Sequence, residues 1–373
     1  MMITQLQQLI SGTFSLAGDQ AQNFPVIVHQ ATLNHLATPF AKIFLIGLAA
    51  LVLATVLTPI YTFFAYRYRF WKREKTVALD GKKLTVMNKL HAKKIQRHLP
   101  TMAGMIFVVT VSSITMVVNL SRGQTWLPLA ALLLGGLIGL IDDVINLRGH
   151  SAVAGLRAPV KFAMITIVAL VLGWFFWARL GWTTLHIPFI GDWNIGVWMV
   201  ILFAFAVVAT GNAVNLSDGL DGLAGGLCAA AFASFAAIAM LQGQFGVAAF
   251  CVTILGALVS YLWFNIYPAR FMMGDVGSFA LGCSLAVVAM MTNSLFLLPI
   301  IGIVFVVDTG SAVIQIIYKK ITHGKKIWLS TPIHHHFEAI GWPETKVTMR
   351  FWLLGAVAGV IGLVLALLGG TIK

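Results

Sequence analysis

The chain has 373 residues, of which 59% are hydrophobic and 10% charged, with a mean hydropathy of +0.90. Soluble domains carry about 25% charged residues, so this composition excludes a soluble globule and indicates a polytopic membrane protein. The 35 glycines suit closely packed membrane helices, and no stretch alternates as barrel strands do, so an all-α bundle is expected.

In chain order, the N-terminal 36 residues lack the charged start and small-residue cleavage site of a signal peptide. They read as an interfacial or outer segment, leaving 37–373 as a single transmembrane domain. Apolar runs long enough to cross a bilayer, at roughly 20 residues each, fall at about 40–66, 100–120, 127–145, 158–180, 195–213, 223–241, 245–264, 277–292, 295–317 and 349–370. Ten spans place both termini on one side. Eleven Lys or Arg lie between Arg67 and Arg97 and six between Lys319 and Arg350, whereas the intervening loops on the other side hold only Arg122. The positive-inside rule makes the basic loops cytoplasmic and both termini periplasmic. Topology and attraction to lipid headgroups account for most of these charges, and no nucleic-acid partner is expected.

This topology gathers the chemistry-bearing residues on the cytoplasmic face. Asp142 and Asp143 end the third span; being adjacent, they diverge by about 100° on a helix and cannot both address one atom. Carboxylates are also the wrong sign for a helix C-terminus, which implies a compensating partner. The stretch Asn212–Gly226, reading NAVNLSDGLDGLAGG, follows the fifth span with Asp218 and Asp221 three apart, on one face if the segment is helical. A polar turn explains such residues in part, yet a turn does not require two carboxylates so close to lipid. Asn265–Ser278, NIYPARFMMGDVGS, follows the seventh span and sets Asp275 between glycines, which suits a carboxylate reaching Mg²⁺. The consecutive His334, His335 and His336 diverge on a helix, unlike the i, i+4 spacing of zinc ligands. They are expected to donate to phosphate or sugar oxygens. On the outer face, His186–Gly196 reads as a short hairpin with no assigned chemistry. Cys228, Cys251 and Cys283 lie singly in apolar runs and read as packing residues. Together these parts suit phosphoryl transfer between a soluble nucleotide and a lipid-borne acceptor. The class alternative is a transporter or lipid-binding scaffold, which predicts ionisable groups in mid-span and internal repeats. Only Asp308 lies within a span in that way, and no repeat is visible.

NAVNLSDGLDGLAGG, NIYPARFMMGDVGS, GLIGLIDD, FVVDTGSAVIQ and PIHHHFEAIGWPETKVTMRFW resemble the phospho-N-acetylmuramoyl-pentapeptide-transferase (MraY) family, within the polyprenyl-phosphate sugar-1-phosphate transferases, from about Pro100 to Trp352. The resemblance implies transfer of phospho-MurNAc-pentapeptide from UDP-MurNAc-pentapeptide to undecaprenyl phosphate, giving lipid I and UMP, with Mg²⁺ required. It implies a homodimer among the lipids of the bacterial inner membrane. It also implies Asp275 as Mg²⁺ ligand and Asp142 and Asp143 as paired catalytic aspartates. Asn215, Asp218, Gly219, Leu220 and Asp221 match the nucleoside and catalytic loop, with Asn265 and Gln315 nearby; Asn212 and Lys161 join the candidate substrate contacts, and the three histidines the catalytic set. The alternative within the superfamily is a GlcNAc-1-phosphate transferase. Three positions depart from the family pattern. The lysine expected at position 96 is Gln96, which leaves Lys94 or Arg97 to replace it. The phenylalanine expected three residues before Asp275 is Met272, with Phe271 beside it, and Asp308 stands where a glutamate is common.

Overall fold

The computed structural model describes residues 25–71, 99–148 and 155–372, with side chains from position 39 onward in the first segment. The helices are α1 (Pro25–Arg67), α2 (Gly104–Val118), α3 (Trp126–Arg148), α4 (Ala158–Ala178), α5 (Trp198–Ser217), α6 (Leu223–Leu241), α7 (Phe245–Asn265), α8 (Gly274–Met291), α9 (Leu298–Ile301), α10 (Ile303–Ile321), α11 (Ile333–Ala339) and α12 (Glu344–Leu368). The expected hairpin is present as β1 (Thr184–Ile187) paired antiparallel with β2 (Gly191–Asn194). The protein is thus an all-α polytopic membrane protein with one small strand pair. In lipid every backbone group must bond within its own segment, and helices meet that demand.

Among the described residues eight helices are long and apolar enough to cross a membrane, or nine if one bent pair is a single crossing. Two expected spans differ. The run at 100–120 yields α2, whose 15 residues reach about 22 Å at 1.5 Å per residue, short of a hydrocarbon core of about 30 Å. The run at 295–317 is not one straight span: a 3₁₀ turn (Leu295–Leu297) and α9 meet α10 at Gly302, with a bend of 80°. Pro299 falls at the start of α9, where a missing N–H is tolerated, and the helix restarts beyond Gly302.

Packing is centred on α8, nearly all of whose residues are buried, and its most extensive neighbour is α3. The two backbones touch: a Cβ at Gly139 would collide with the carbonyl of Asp275. Only glycine permits this approach, and it sets Asp142 of α3 against the first turn of α8. Phe44, Leu48, Val52 and Phe63 on α1 and Leu353, Val357 and Val360 on α12 stay exposed, as side chains facing lipid do. The three cysteines are buried and free.

The bundle has two polar ends. One carries Arg67, Lys319 and Lys320 in the last turns of α1 and α10, and the aspartates. At the other, Gln242 donates to the carbonyls of Thr292 and Thr371 at 2.8 and 3.0 Å, and Gln124 accepts from the Gly246 amide at 2.8 Å. There His186 of β1 faces Asp192 through Nδ1 and the Gly369 carbonyl through Nε2, at 2.6 and 2.9 Å.

Candidate active site

At the basic end, the α3–α8 contact and α4 bring three charged side chains to one point. Lys161, from the first turn of α4, places its ammonium 2.7 Å from Asp142 Oδ2 and 2.6 Å from Asp275 Oδ2. Asp142 Oδ1 accepts from the Leu156 amide at 2.6 Å, so the chain entering α4 fixes the carboxylate as well. Asp143 is fully buried and its Oδ2 accepts from the Val276 amide at 3.1 Å, in the first turn of α8. The two adjacent aspartates therefore diverge as expected, one to an ammonium and the other to a helix N-terminus, where a carboxylate is favoured. Among the described residues this corner holds three carboxylates and one ammonium, an excess of two negative charges.

The Pro100–Gly104 segment closes this corner. Met272 N donates to Pro100 O at 2.8 Å, Ala103 N to Met272 O at 3.0 Å, and Tyr61 Oη to Thr101 O at 2.6 Å. Lys94 and Arg97, the expected substitutes for the missing lysine, lie outside the described residues; Lys161 is the described cation in this corner.

The Asp218–Gly222 turn lies between α5 and α6. The segment is not helical here, so Asp218 and Asp221 do not share a helix face as the spacing allowed. Asp218 caps the end of α5, whereas Asp221 is buried and its Oδ2 accepts from Ala269 N at 3.0 Å. Its amide donates to Glu344 Oε1 at 2.5 Å. Asp221 thus pins the turn to the loop before α8 and to the start of α12. Asn215 donates to Ser278 Oγ at 2.8 Å, linking the end of α5 to the first turns of α8.

The histidines differ from expectation. His334 and His335 do not diverge fully: their rings lie 4.2 Å apart, and both meet Gly219. A Cβ there would collide with His334 Nε2 and stand 3.1 Å from His335 Nε2. His334 Nδ1 lies 2.9 Å from Asp308 Oδ2, and the same oxygen accepts from Ser217 Oγ at 2.8 Å. His335 Nδ1 lies 2.7 Å from Glu338 Oε2. His336 turns away, accepting from the Leu329 amide at 3.3 Å.

Several expected substrate contacts are committed elsewhere. Gln315 spends its amide on the backbone of Ile327 and Trp328, at 2.9 to 3.3 Å, so it shapes the loop before α11. Asn265 bonds Gly222 N at 3.0 Å and Phe271 O at 2.7 Å. Asn212 bonds Val208 O within its own helix at 2.8 Å. Leu220 and Phe271 are fully buried; Phe271 packs against Tyr61, Tyr261 and Phe264, so its ring is closed to a ligand. Met272 is partly exposed.

Sequence reasoning missed the roles of Asp308, Glu338, Glu344 and Ser278. Asp308 carried a signal, a carboxylate inside an apolar run, but a straight span placed it in mid-membrane. The bend at Gly302 instead brings it level with Ser217 at the end of α5.

A family profile described as glycosyl transferase family 4 matches residues 125–293. The chain is similar to the phospho-N-acetylmuramoyl-pentapeptide-transferase of Chloroflexus aurantiacus, with 38% identity over 90% of this chain and 92% of that protein. It is also similar to the proteins of that name from Listeria monocytogenes, with 39% identity over 73% of this chain and 85% of the relative, and Levilactobacillus brevis, with 39% over 70% and 83%.

Proposed function

The chain belongs to the phospho-N-acetylmuramoyl-pentapeptide-transferase family, and we propose how its basic end carries out that transfer. It is an enzyme of peptidoglycan synthesis: phospho-MurNAc-pentapeptide passes from its uridine nucleotide donor to a polyprenyl phosphate, giving lipid I. An oxygen of the lipid phosphate bonds to the β-phosphorus of the donor, the bond from that phosphorus to the bridging oxygen breaks, and UMP leaves. Undecaprenyl phosphate is the acceptor in this proposal. The bacterial inner membrane is the location, with the basic end and the site in the cytoplasm, ten crossings, both termini outside and a homodimeric assembly. The basic residues at that end support the orientation, and the family resemblance supports the assembly.

The observation that carries the mechanism is the Asp142–Lys161–Asp275 bridge. Phosphoryl transfer is mainly positioning and charge stabilisation, and here a rigid ammonium is held by two carboxylates at the junction of three helices. Lys161 binds and orients donor diphosphate oxygens. Asp142 and Asp143 are the catalytic carboxylates, and the Asp218–Gly219 turn with His334 and His335 binds the oxygen-rich part of the donor.

Among the described residues no three His, Cys, Asp or Glu side chains form a metal cage. Mg²⁺ does not need one: one or two carboxylates suffice when phosphates and water complete its shell. The excess negative charge and hard oxygen donors fit it, and Asp275 would be its protein ligand. When bound, it neutralises charge on the transferring phosphates.

The test is purified protein with Mg²⁺ and undecaprenyl phosphate, offered UDP-MurNAc-pentapeptide and UDP-GlcNAc in parallel, with UMP release as readout. The muramoyl donor alone is expected to turn over. Comparable use of UDP-GlcNAc would overturn the substrate assignment.

A further inference from the structure

Two buried carboxylates lie behind the two histidines that meet Gly219. Asp308, on α10, is fully buried. Its Oδ2 is 2.9 Å from His334 Nδ1 and accepts from Ser217 Oγ. An ionised carboxylate only accepts hydrogen bonds, so the imidazole nitrogen facing it carries the proton. Glu338 stands in the same relation to His335 Nδ1, at 2.7 Å. Each ring therefore turns its other nitrogen, Nε2, towards Gly219.

His334 Nε2 is buried and has no hydrogen-bond partner. Leaving such a group unmade costs about 1–3 kcal/mol, and a core built for stability alone would satisfy it or replace it with an apolar ring. We propose that Asp308 is a positioning residue for the transfer: it holds His334 with the proton on Nδ1, so that Nε2 is left as an acceptor for a hydroxyl of the donor at the Asp218–Gly219 turn. This rests on the proposed reaction. Ser217, one residue before Asp218, extends the same carboxylate to the turn itself, so imidazole and turn are set by one oxygen. The bend at Gly302 is what allows a residue of this apolar run to reach the site.

The test uses the full chain in detergent with ¹⁵N-labelled histidine, His334 being assigned by its loss in His334→Gln, together with steady-state UMP release. The wild type should show His334 protonated at Nδ1. Asp308→Asn should lose that signature and lower kcat by about tenfold or more, the loss seen when the partner behind a metal-bound histidine is removed, with KM within about threefold. Asp308→Glu should recover both the signature and the rate. Ser217→Ala removes the other donor but keeps the carboxylate, so the Nδ1 signature should persist even if Asp308→Asn proves too unstable to purify. Persistence of the signature in Asp308→Asn, or its loss in Ser217→Ala, would overturn the proposal. A wild type that shows the signature but transfers no muramoyl phosphate would instead overturn the reaction assignment.

Discussion

At the basic end Lys161 stands between Asp142 and Asp275, Asp143 is capped by the first turn of α8, and His334 and His335 are each backed by a carboxylate. At the opposite end Gln242 spans two carbonyls, Gln124 caps the Gly246 amide, and Asn119 donates to the Gly246 carbonyl at 2.9 Å. Both ends bury polar side chains and both tie helices together. At the second end, His186 and Asp192 apart, the groups are neutral and mostly terminate on backbone, which is how chain ends are closed at low cost. At the first end charge is set against charge, with an excess of carboxylate among the described residues. Stability does not require that, because a neutral or apolar set closes a bundle at least as well. The difference supports the proposed placement of the reaction at one end and leaves closure to the other.

The sharpest way to break this comparison is Asp275→Asn. UMP release should fall by about 10³-fold or more, since several kcal/mol of charge stabilisation are lost with the carboxylate, and the thermal midpoint should stay unchanged. Next is Lys161→Met, which leaves Asp142 and Asp275 facing each other. A fall in kcat of about 10²-fold is expected. Titrating Mg²⁺ in the same assay sharpens the point, because full recovery at high Mg²⁺ would make Lys161 a stand-in for the metal and not a donor to the diphosphate. A smaller effect is expected at the nucleoside. Phe271 is sealed in the core and Met272 is its partly exposed neighbour, so Met272→Phe should add stacking worth about 0.5–1.5 kcal/mol and tighten UMP by up to about tenfold in calorimetry. Unchanged or weaker binding would remove Met272 from the uracil contact. The smallest effect on turnover belongs to the opposite end. Gln242→Ala should leave the rate within about twofold while lowering the thermal midpoint by a few degrees, the result of unpairing two carbonyls at about 1–3 kcal/mol.

Much of the site was legible in the sequence because polar residues inside an apolar chain have few innocent explanations. Asp142, Asp143, Asp275, Asn215, Asp218 and the histidines fall at one end as their positions relative to the spans required. What was not legible depends on backbone events that periodicity does not report. The run at 295–317 reads as one span, since Gly302 among so many glycines is no signal, and the bend that brings Asp308 to His334 is a tertiary outcome. Gln315 is placed near the site by the family resemblance alone; its partners are backbone groups of a loop 12 and 13 residues on. Phe271 and Met272 are adjacent, so which one faces the core depends on the turn after Pro268, and aromatic packing against Tyr61, Tyr261 and Phe264 decides it.

The most direct test of the division between the two ends is a crossed measurement of UMP release and thermal midpoint on Asp275→Asn and Gln242→Ala, purified side by side. The account predicts that Asp275→Asn loses turnover and keeps its midpoint, and that Gln242→Ala keeps turnover and loses several degrees. If each variant loses activity and stability together, the two ends form one cooperative unit and the assignment of separate tasks is wrong.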